Sequence, residues 1–226
     1  RGNFAPVGTE IDAADLHVIA GRIPPDLRGA YLRNGPNPLF KPLSYTYQMD
    51  GDGMVHAVYF DSGRARYRNR FVRTRGLAVE RRVGHAVYGG LLDPRPVDPA
   101  LVGADGDPGP YKNGAYINVI SHGGQLLALG EASTAYEIGP GLDTVGEWTA
   151  GTGSPLQLGA HNRRHPVDGS LFGLCYNPFE PVVTVHHISV TGRLLRSFPV
   201  ALAAPCMIHD FASTGSACHA GVHQLS

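Results

Sequence analysis

Two histidines with apolar neighbours are the residues best suited to chemistry in this chain. His161 closes the segment Gly159-Ala160-His161, and His209 follows 48 positions later in Met207-Ile208-His209-Asp210-Phe211. If the fold brings two neutral imidazoles to one point, their nitrogens can hold iron, copper, nickel or zinc. Each imidazole then needs a hydrogen-bond partner for its second nitrogen, because that bond fixes the tautomer and the ring orientation.

Glu131 is the candidate for that partner. It ends an apolar stretch over residues 125–130 that is expected to bury it. A buried carboxylate needs a hydrogen-bond donor, and an imidazole N–H would satisfy it. Taken singly, each histidine is more simply interpreted as a core or surface histidine. Neither histidine on its own therefore favours a metal site.

Other histidines have a spacing that could suggest a metal site. His165 lies four residues after His161, as in a helical pair of ligands, but we interpret it as a turn residue before Pro166. His186 and His187 are adjacent on a predicted strand, so their side chains point to opposite faces and cannot both bind one metal. We interpret both as structural or surface residues.

Two further patterns allow a metal interpretation, and neither is favoured. Residues 50–53, Asp-Gly-Asp-Gly, resemble part of a calcium loop but lack the other acidic ligands, so they predict a turn between strands. His219 and His223 have the i, i+4 spacing of a helical pair. Gly221 between them and the lack of an apolar face disfavour a helix there.

The elements that must position these residues are predicted to be short antiparallel strands. Residues 55–60 and 65–74 flank a polar turn at 61–64, and residues 182–189 and 194–200 flank a second turn that contains a glycine. A third turn, at Asp168-Gly169, precedes a strand at 170–176. No segment shows a long helical period with caps, so helices are expected to be short and peripheral. The pattern predicts an all-β fold, and propellers, sandwiches and barrels all share it.

Six blocks, in a fixed order between residues 3 and 212, resemble the opening part of carotenoid cleavage oxygenases. The chain is identified as similar to that family on these blocks: GRIPPDLRG at 21–29, YLRNGPNP at 31–38, DGDGM at 50–54, YRNRFVRT at 67–74, NVI with HGG at 118–124, and MIHDF at 207–211. Several ordered blocks are far more specific than any one short motif.

The resemblance implies a non-haem iron(II) dioxygenase that cleaves a conjugated C=C bond of a carotenoid or apocarotenoid with O2, giving two carbonyl products. It implies a seven-bladed β-propeller and an Fe(2+) ion held by four histidines. His161 matches the first of these and His209 the second, while Glu131 matches the first of three outer glutamates and orients His209. The implied partners are a hydrophobic polyene and O2, with peripheral membrane contact to extract the substrate and no defined protein partner.

The chain departs from the family pattern in three places. Asn162 follows His161 where the family has proline, and Tyr116-Ile117 replaces a polar pair. The pattern also ends at residue 212. We therefore expect residues 1–212 to form the N-terminal part of the propeller domain, and residues 213–226 to be a disordered tail outside the family. With the other histidines and glutamates missing, we expect a truncated and inactive product.

Three alternatives stay open. A stilbenoid-cleaving enzyme or a non-redox isomerohydrolase would share the same blocks. A metal-free propeller fragment would serve as an interaction module. A zinc hydrolase is disfavoured, because neither histidine lies in an H-E-x-x-H arrangement.

Composition limits the remaining classes. Lys+Arg and Asp+Glu are 19 each, so no excess of positive charge indicates a nucleic-acid partner. The three cysteines lack C-x-x-C spacing, which argues against a disulfide framework and favours a reducing compartment. The longest apolar run, residues 198–208, is too short to cross a bilayer, and residues 1–6 do not resemble a signal peptide. We expect a cytoplasmic location, peripheral to a membrane where substrate is extracted.

Overall fold

A computed structural model describes residues 2, 5–44, 50–214 and 218–220 of the chain. Within that part the elements are antiparallel strands and two short helices. The chain divides into two compact units. The first comprises Arg1–Val119 with Pro140–Thr144, and the second comprises Ile120–Gly139 with Val145–Ser226. The predicted domain boundary at residue 212 stays a prediction.

The first sheet belongs to the first unit and has the strand order β1-β4-β3-β2. Its strands are β1 (Asp12–Ala13), β2 (Gly29–Pro36), β3 (Gly53–Asp61) and β4 (Arg64–Phe71). In β4 the arginines alternate with Ala65, Asn69 and Phe71, which are buried. This alternation gives the strand one solvent face and one core face.

The predicted hairpin at residues 55–74 is confirmed by the pairing of β3 with β4. Its two central residues, Ser62 and Gly63, both have positive φ, 50° and 75°. A two-residue turn of this type matches the right-handed twist of the strands that it joins.

Helix α1 (Arg75–Val83) differs from the expectation of peripheral helices, because several of its residues are buried. Thr74 caps its N-terminus, where the side chain accepts a hydrogen bond from the Leu77 backbone N, and Gly84 ends it in the left-handed conformation. Leu77 is fully buried in a cluster with Met54 and Phe71. The helix is short, as predicted, but it contributes to the core. Helix α2 (Pro99–Val102) is a single turn.

A second sheet has the order β5-β6-β7-β8. Its strands are β5 (Asn118–His122), β6 (Gln125–Leu129), β7 (Tyr136–Ile138) and β8 (Thr144–Glu147). The last three residues of β6, Leu127 to Leu129, are fully buried. This strand therefore leads the chain from the core directly to Glu131.

A third sheet lies in the second unit, in the order β12-β11-β10-β9. Its strands are β9 (Asn162–Arg164), β10 (Leu171–Tyr176), β11 (Val182–Ile188) and β12 (Leu194–Ala201). The predicted pairing of residues 182–189 with 194–200 is confirmed. Leu174, Tyr176 and Val183 of this sheet pack with Ile208 and Phe211 in one core cluster.

The end of the described chain forms a small hairpin of β13 (Phe211–Ser213) and β14 (Cys218–Ala220). Residues 218–220 pair in register with residues 211–213, and the disorder expected for the tail as a whole stays a prediction. His219 lies in this strand rather than in a helix, and His223 lies outside the described residues. None of the helices in the described ranges has the length and apolar character needed to cross a membrane.

Candidate metal centre

The structure brings together the three predicted site residues within the second unit. Glu131 follows β6 by two residues, His161 directly precedes β9, and His209 precedes β13 by two residues. Each side chain therefore projects from an irregular segment at the end of a strand. Such segments are free to orient a side chain while the adjoining sheet fixes their position.

The imidazoles of His161 and His209 lie close together in an edge-to-face arrangement. Their ring centres are 4.5 Å apart with an angle of 64° between the planes. His209 Nδ1 lies 3.1 Å from Glu131 Oε2. With Nδ1 donating to the carboxylate, His209 keeps its Nε2 lone pair for a ligand.

His161 has an unsatisfied nitrogen. Its Nε2 is buried and has no hydrogen-bond partner among the described residues. A buried polar atom left without a partner costs about 1–3 kcal/mol, so it is retained where something else compensates for it. A bound metal would be such a partner.

The Glu131 carboxylate is buried. Its side chain is 6% exposed, whereas that of His209 is 53% exposed. Burial raises the pKa of Glu131, and the nearby His209 and a hydrogen bond from the Tyr176 side chain act in the opposite direction. Glu131 thus connects His209 to a buried tyrosine.

Sequence reasoning missed Tyr176. It ends strand β10, and its ring is buried in the same core cluster as Ile208 and Phe211. An aromatic residue at the end of an apolar strand is expected to belong to the core, and no spacing related it to the histidine motifs.

The spacing of the two rings fits joint binding of one metal ion. The ring centres are 4.5 Å apart, close enough for both imidazoles to bind one ion, which they would do through ring nitrogens. Among the residues that the structure describes, no group of three or more His, Cys, Asp and Glu side chains is arranged as a complete metal site. The chain thus brings together two donor nitrogens and one supporting carboxylate.

Three other histidines considered as possible ligands contact different residues. His165 pairs with Asp168 at 3.1 Å within a turn, as predicted. His186 Nδ1 lies 2.9 Å from Ser197 Oγ, and His187 stacks on the Phe172 ring with the ring centres 4.5 Å apart. His186 and His187 therefore contact different residues. The buried Nε2 of His187, like that of His161, has no hydrogen-bond partner among the described residues, so an unsatisfied nitrogen alone does not identify a ligand.

A cavity of about 310 Å³ in the second unit is lined by residues other than His161 and His209. Its walls include Gln157, Asn177, Thr184 and His186. Leu156, Tyr176 and Val182 also line it, so its surface is mixed polar and apolar, and neither His161 nor His209 reaches it.

Comparison with known proteins identifies the family. The family model described as "Retinal pigment epithelial membrane protein" matches residues 4–218. The chain is 32% identical to probable carotenoid cleavage dioxygenase 4, chloroplastic, of Arabidopsis thaliana, over 94% of this chain and 38% of the relative. It is 37% identical to a carotenoid cleavage oxygenase of Mycobacterium tuberculosis, over 95% of this chain and 40% of the relative.

Solved structures give the same result. The lignostilbene dioxygenase of Pseudomonas brassicacearum aligns with a TM-score of 0.80 at 29% identity, over 92% of this chain and 43% of that structure. The Synechocystis apocarotenoid oxygenase aligns with a TM-score of 0.74 at 31% identity, over 94% of this chain and 46% of that structure.

The chain therefore belongs to the carotenoid cleavage oxygenase family, a family of oxygenase-type dioxygenases. Its fold is all-β and corresponds to a part of the family's β-propeller. The chain spans 38% and 40% of the length of the two curated relatives. The matched region ends at residue 218, beyond the predicted boundary at 212.

Proposed function

We propose that this chain supplies two of the four histidine ligands of an iron(II) dioxygenase that cleaves a carotenoid or apocarotenoid. The proposal rests on the close edge-to-face pair of imidazoles, one with an unsatisfied buried Nε2 and the other held at Nδ1 by Glu131. The names of the relatives support carotenoid cleavage as the reaction. The remaining ligands would lie outside these 226 residues.

In this proposal His161 and His209 bind the metal through their ring nitrogens. Bound iron(II) would supply the activation of O2 needed to split a conjugated double bond into two carbonyl groups. Glu131 keeps His209 in the tautomer that leaves Nε2 free, and burial keeps water from competing for the carboxylate. Ile208 and Phe211 anchor the His209 segment in the core.

The substrate would be a hydrophobic polyene, cleaved with O2. Peripheral contact with a membrane would let the enzyme extract such a substrate, and a cytoplasmic location is part of the same prediction. The Arabidopsis relative carries the word chloroplastic in its name, so location differs between members. The predicted inactivity of residues 1–226 follows from two ligands alone, because metal affinity depends on a complete ligand set.

A stilbenoid is the second candidate substrate. The structural similarity to a lignostilbene dioxygenase favours it, since stilbenoids also carry a conjugated double bond. An isomerohydrolase reaction is the other open alternative, and product analysis with labelled O2 separates it from a dioxygenase. A metal-free interaction module is disfavoured by the unsatisfied nitrogen of His161.

The experiment replaces His161 or His209 by alanine in the full-length protein, with the exposed His17→Ala as matched control. We expect each site variant to lose bound iron, measured by elemental analysis, and to lose cleavage of carotenoid, apocarotenoid and stilbenoid substrates, measured by product chromatography. His17→Ala should behave as wild type. Full iron occupancy in either site variant would overturn the assignment.

A further inference from the structure

The two histidine-bearing segments belong to different sheets. His161 adjoins β9, the edge strand of the β12-β11-β10-β9 sheet, whereas His209 adjoins β13, which pairs with β14. No strand ladder in the described residues is shared by these two sheets. The close approach of the imidazoles therefore depends on side-chain contacts, which include the core packing of Ile208 and Phe211 against the sheet of β9.

One ion pair makes such a contact next to both histidines. Arg163 Nη2 lies 2.6 Å from Asp210 Oδ1, although the two residues are 47 positions apart. Arg163 is two residues after His161, and Asp210 directly follows His209. The pair therefore joins the two segments within two residues of each imidazole.

Both partners are fixed by further contacts. The Arg163 guanidinium carbon lies 5.5 Å from the centre of the Phe211 ring, and this ring is buried. Asp210 Oδ1 also accepts a hydrogen bond from the Phe211 backbone N at 2.7 Å. Because these contacts restrict both side chains, the pair loses less conformational entropy on forming than two free surface side chains would.

We propose that Arg163 and Asp210 are positioning residues that set the spacing of His161 and His209 for metal binding. This inference rests on the proposed function, because it assumes that the two histidines bind one metal ion. Neither residue contacts the metal. Arg163 already has a carboxylate partner, so its charge is compensated within the chain and does not form an anion site.

The expected effect is moderate. The side chains of Arg163 and Asp210 are 36% and 46% exposed, and ion pairs this exposed contribute little to folding. We expect the pair to affect metal affinity more than folding stability, because both histidines must be in place at the same time for the ion to bind. We expect loss of the pair to weaken metal binding roughly 3- to 10-fold, a typical coupling between neighbouring residues.

The test is a double-mutant cycle on the full-length protein, with Arg163→Gln, Asp210→Asn and the double variant. Co²⁺ is titrated into metal-free protein, and its visible absorption reports affinity and ligand geometry. Each single variant should bind Co²⁺ more weakly, and the double variant should be no weaker than the weaker single variant. Arg163→Lys should recover part of the affinity, since it restores the charge.

Matched controls separate positioning from stability. The exposed ion pair of Arg95 with Asp93 receives the same substitutions and should leave Co²⁺ affinity unchanged. Thermal unfolding of the metal-free Arg163 and Asp210 variants should stay within about 2–4 °C of wild type. The inference would be overturned if the double variant lost as much Co²⁺ binding free energy as the two single variants together. Unchanged Co²⁺ affinity in both single variants would also overturn it.

A failure of the proposed function gives a different result. In that case wild type and His161→Ala would bind Co²⁺ with the same affinity. If His161→Ala abolishes binding while the Arg163 and Asp210 variants bind as wild type, only the positioning role is refuted.

Discussion

One cluster of charged side chains in the first unit and the candidate metal centre in the second unit differ in how fully their polar atoms are satisfied. In the first unit, Lys112 Nζ lies 2.5 Å from Asp52 Oδ1 and 2.5 Å from Glu80 Oε2. The side chains of Asp52 and Glu80 are 1% and 2% exposed. Burial lowers the pKa of Lys112, but the two carboxylates outweigh burial, so its pKa lies above the ordinary value.

The other carboxylate oxygens of this cluster also have partners. Asp52 Oδ2 accepts from the Leu39 backbone N at 2.9 Å, and Glu80 Oε1 accepts from the backbone N of Val87 at 2.9 Å. The cluster thus joins helix α1 to several loops. The calcium interpretation of residues 50–53 receives no support, because both oxygens of Asp52 are used by the chain itself.

In the second unit, the cluster of Glu131, His161 and His209 still has a polar atom without a partner in the described part of the chain. Glu131 is bonded to His209 and Tyr176, yet His161 Nε2 has no partner among the described residues. Burial of charge alone therefore does not indicate function. A cluster satisfied within the chain supports the fold, whereas one that leaves a ligand nitrogen buried and unsatisfied is suited to bind something else.

The largest expected effect is a loss of stability when the cluster of Lys112, Asp52 and Glu80 is broken. Lys112→Met leaves two buried carboxylates without their cation, which should lower the free energy of unfolding by about 3–5 kcal/mol. Denaturant unfolding of the full-length protein measures the loss. The exposed Lys41→Met is the matched control and should change stability by less than about 0.5 kcal/mol. Equal stability of the two variants would remove the contrast between the clusters.

The second expected effect is a loss of metal affinity when Glu131 is changed. Glu131→Gln keeps the shape of the side chain but weakens the hydrogen bond that orients His209. We expect metal affinity or activity to fall roughly 10- to 100-fold, with a much smaller change in stability than for Lys112→Met. Co²⁺ titration measures the affinity. Glu137→Gln, whose side chain bonds Gln125 at 2.7 Å, is the control and should bind Co²⁺ as wild type.

The sequence predicted the strands well because their signals are local. The alternation of arginine with buried residues in β4, and the glycine turns of the hairpins, are visible within ten residues. The joint position of His161, His209 and Glu131 was expected only through the family resemblance, since no local pattern relates residues so far apart.

Neither local sequence signals nor the family resemblance predicted the charge cluster of the first unit. Lys112 and Asp52 are 60 positions apart, and each taken singly resembles a surface residue. Helix α1 was missed because its nine residues are too few for a clear helical period, although Thr74 and Gly84 are ordinary capping residues. Both features depend on tertiary packing, which outweighs local preference.

The third prediction uses a buried histidine whose two nitrogens are satisfied. His122 Nε2 lies 2.7 Å from the Ser189 backbone O, and Nδ1 lies 3.3 Å from Arg164 Nη1. Burial lowers the pKa of His122 below 6.5; the hydrogen bond to Ser189 opposes this shift, and the charge of Arg164 adds to it. Unlike His161, this imidazole needs no outside ligand.

Because the folded pKa of His122 is lowered, the unfolded chain binds the proton first. Stability from neutral His122 is therefore fully present above about pH 6.5 and is lost as the pH falls toward the folded pKa. His122→Gln keeps the donor to Ser189 but cannot titrate. Thermal unfolding between about pH 7.5 and 5.5 should show a weaker loss of stability in this variant than in wild type. Identical pH slopes would show that His122 does not titrate in this window.

The smallest expected effect comes from Tyr176→Phe, which removes one hydroxyl group behind Glu131. A hydrogen bond of this kind contributes about 1 kcal/mol, so metal affinity should fall about fivefold, less than for Glu131→Gln. Tyr136→Phe is the control, since Tyr136 is also buried in the second unit but bonds Glu147 instead. If both variants lose the same stability and neither loses Co²⁺ affinity, Tyr176 supports only the core. If Tyr176→Phe loses as much Co²⁺ affinity as Glu131→Gln, the carboxylate orients His209 only while Tyr176 donates its hydrogen bond. Tyr176 would then belong to the metal site together with the two histidines and Glu131.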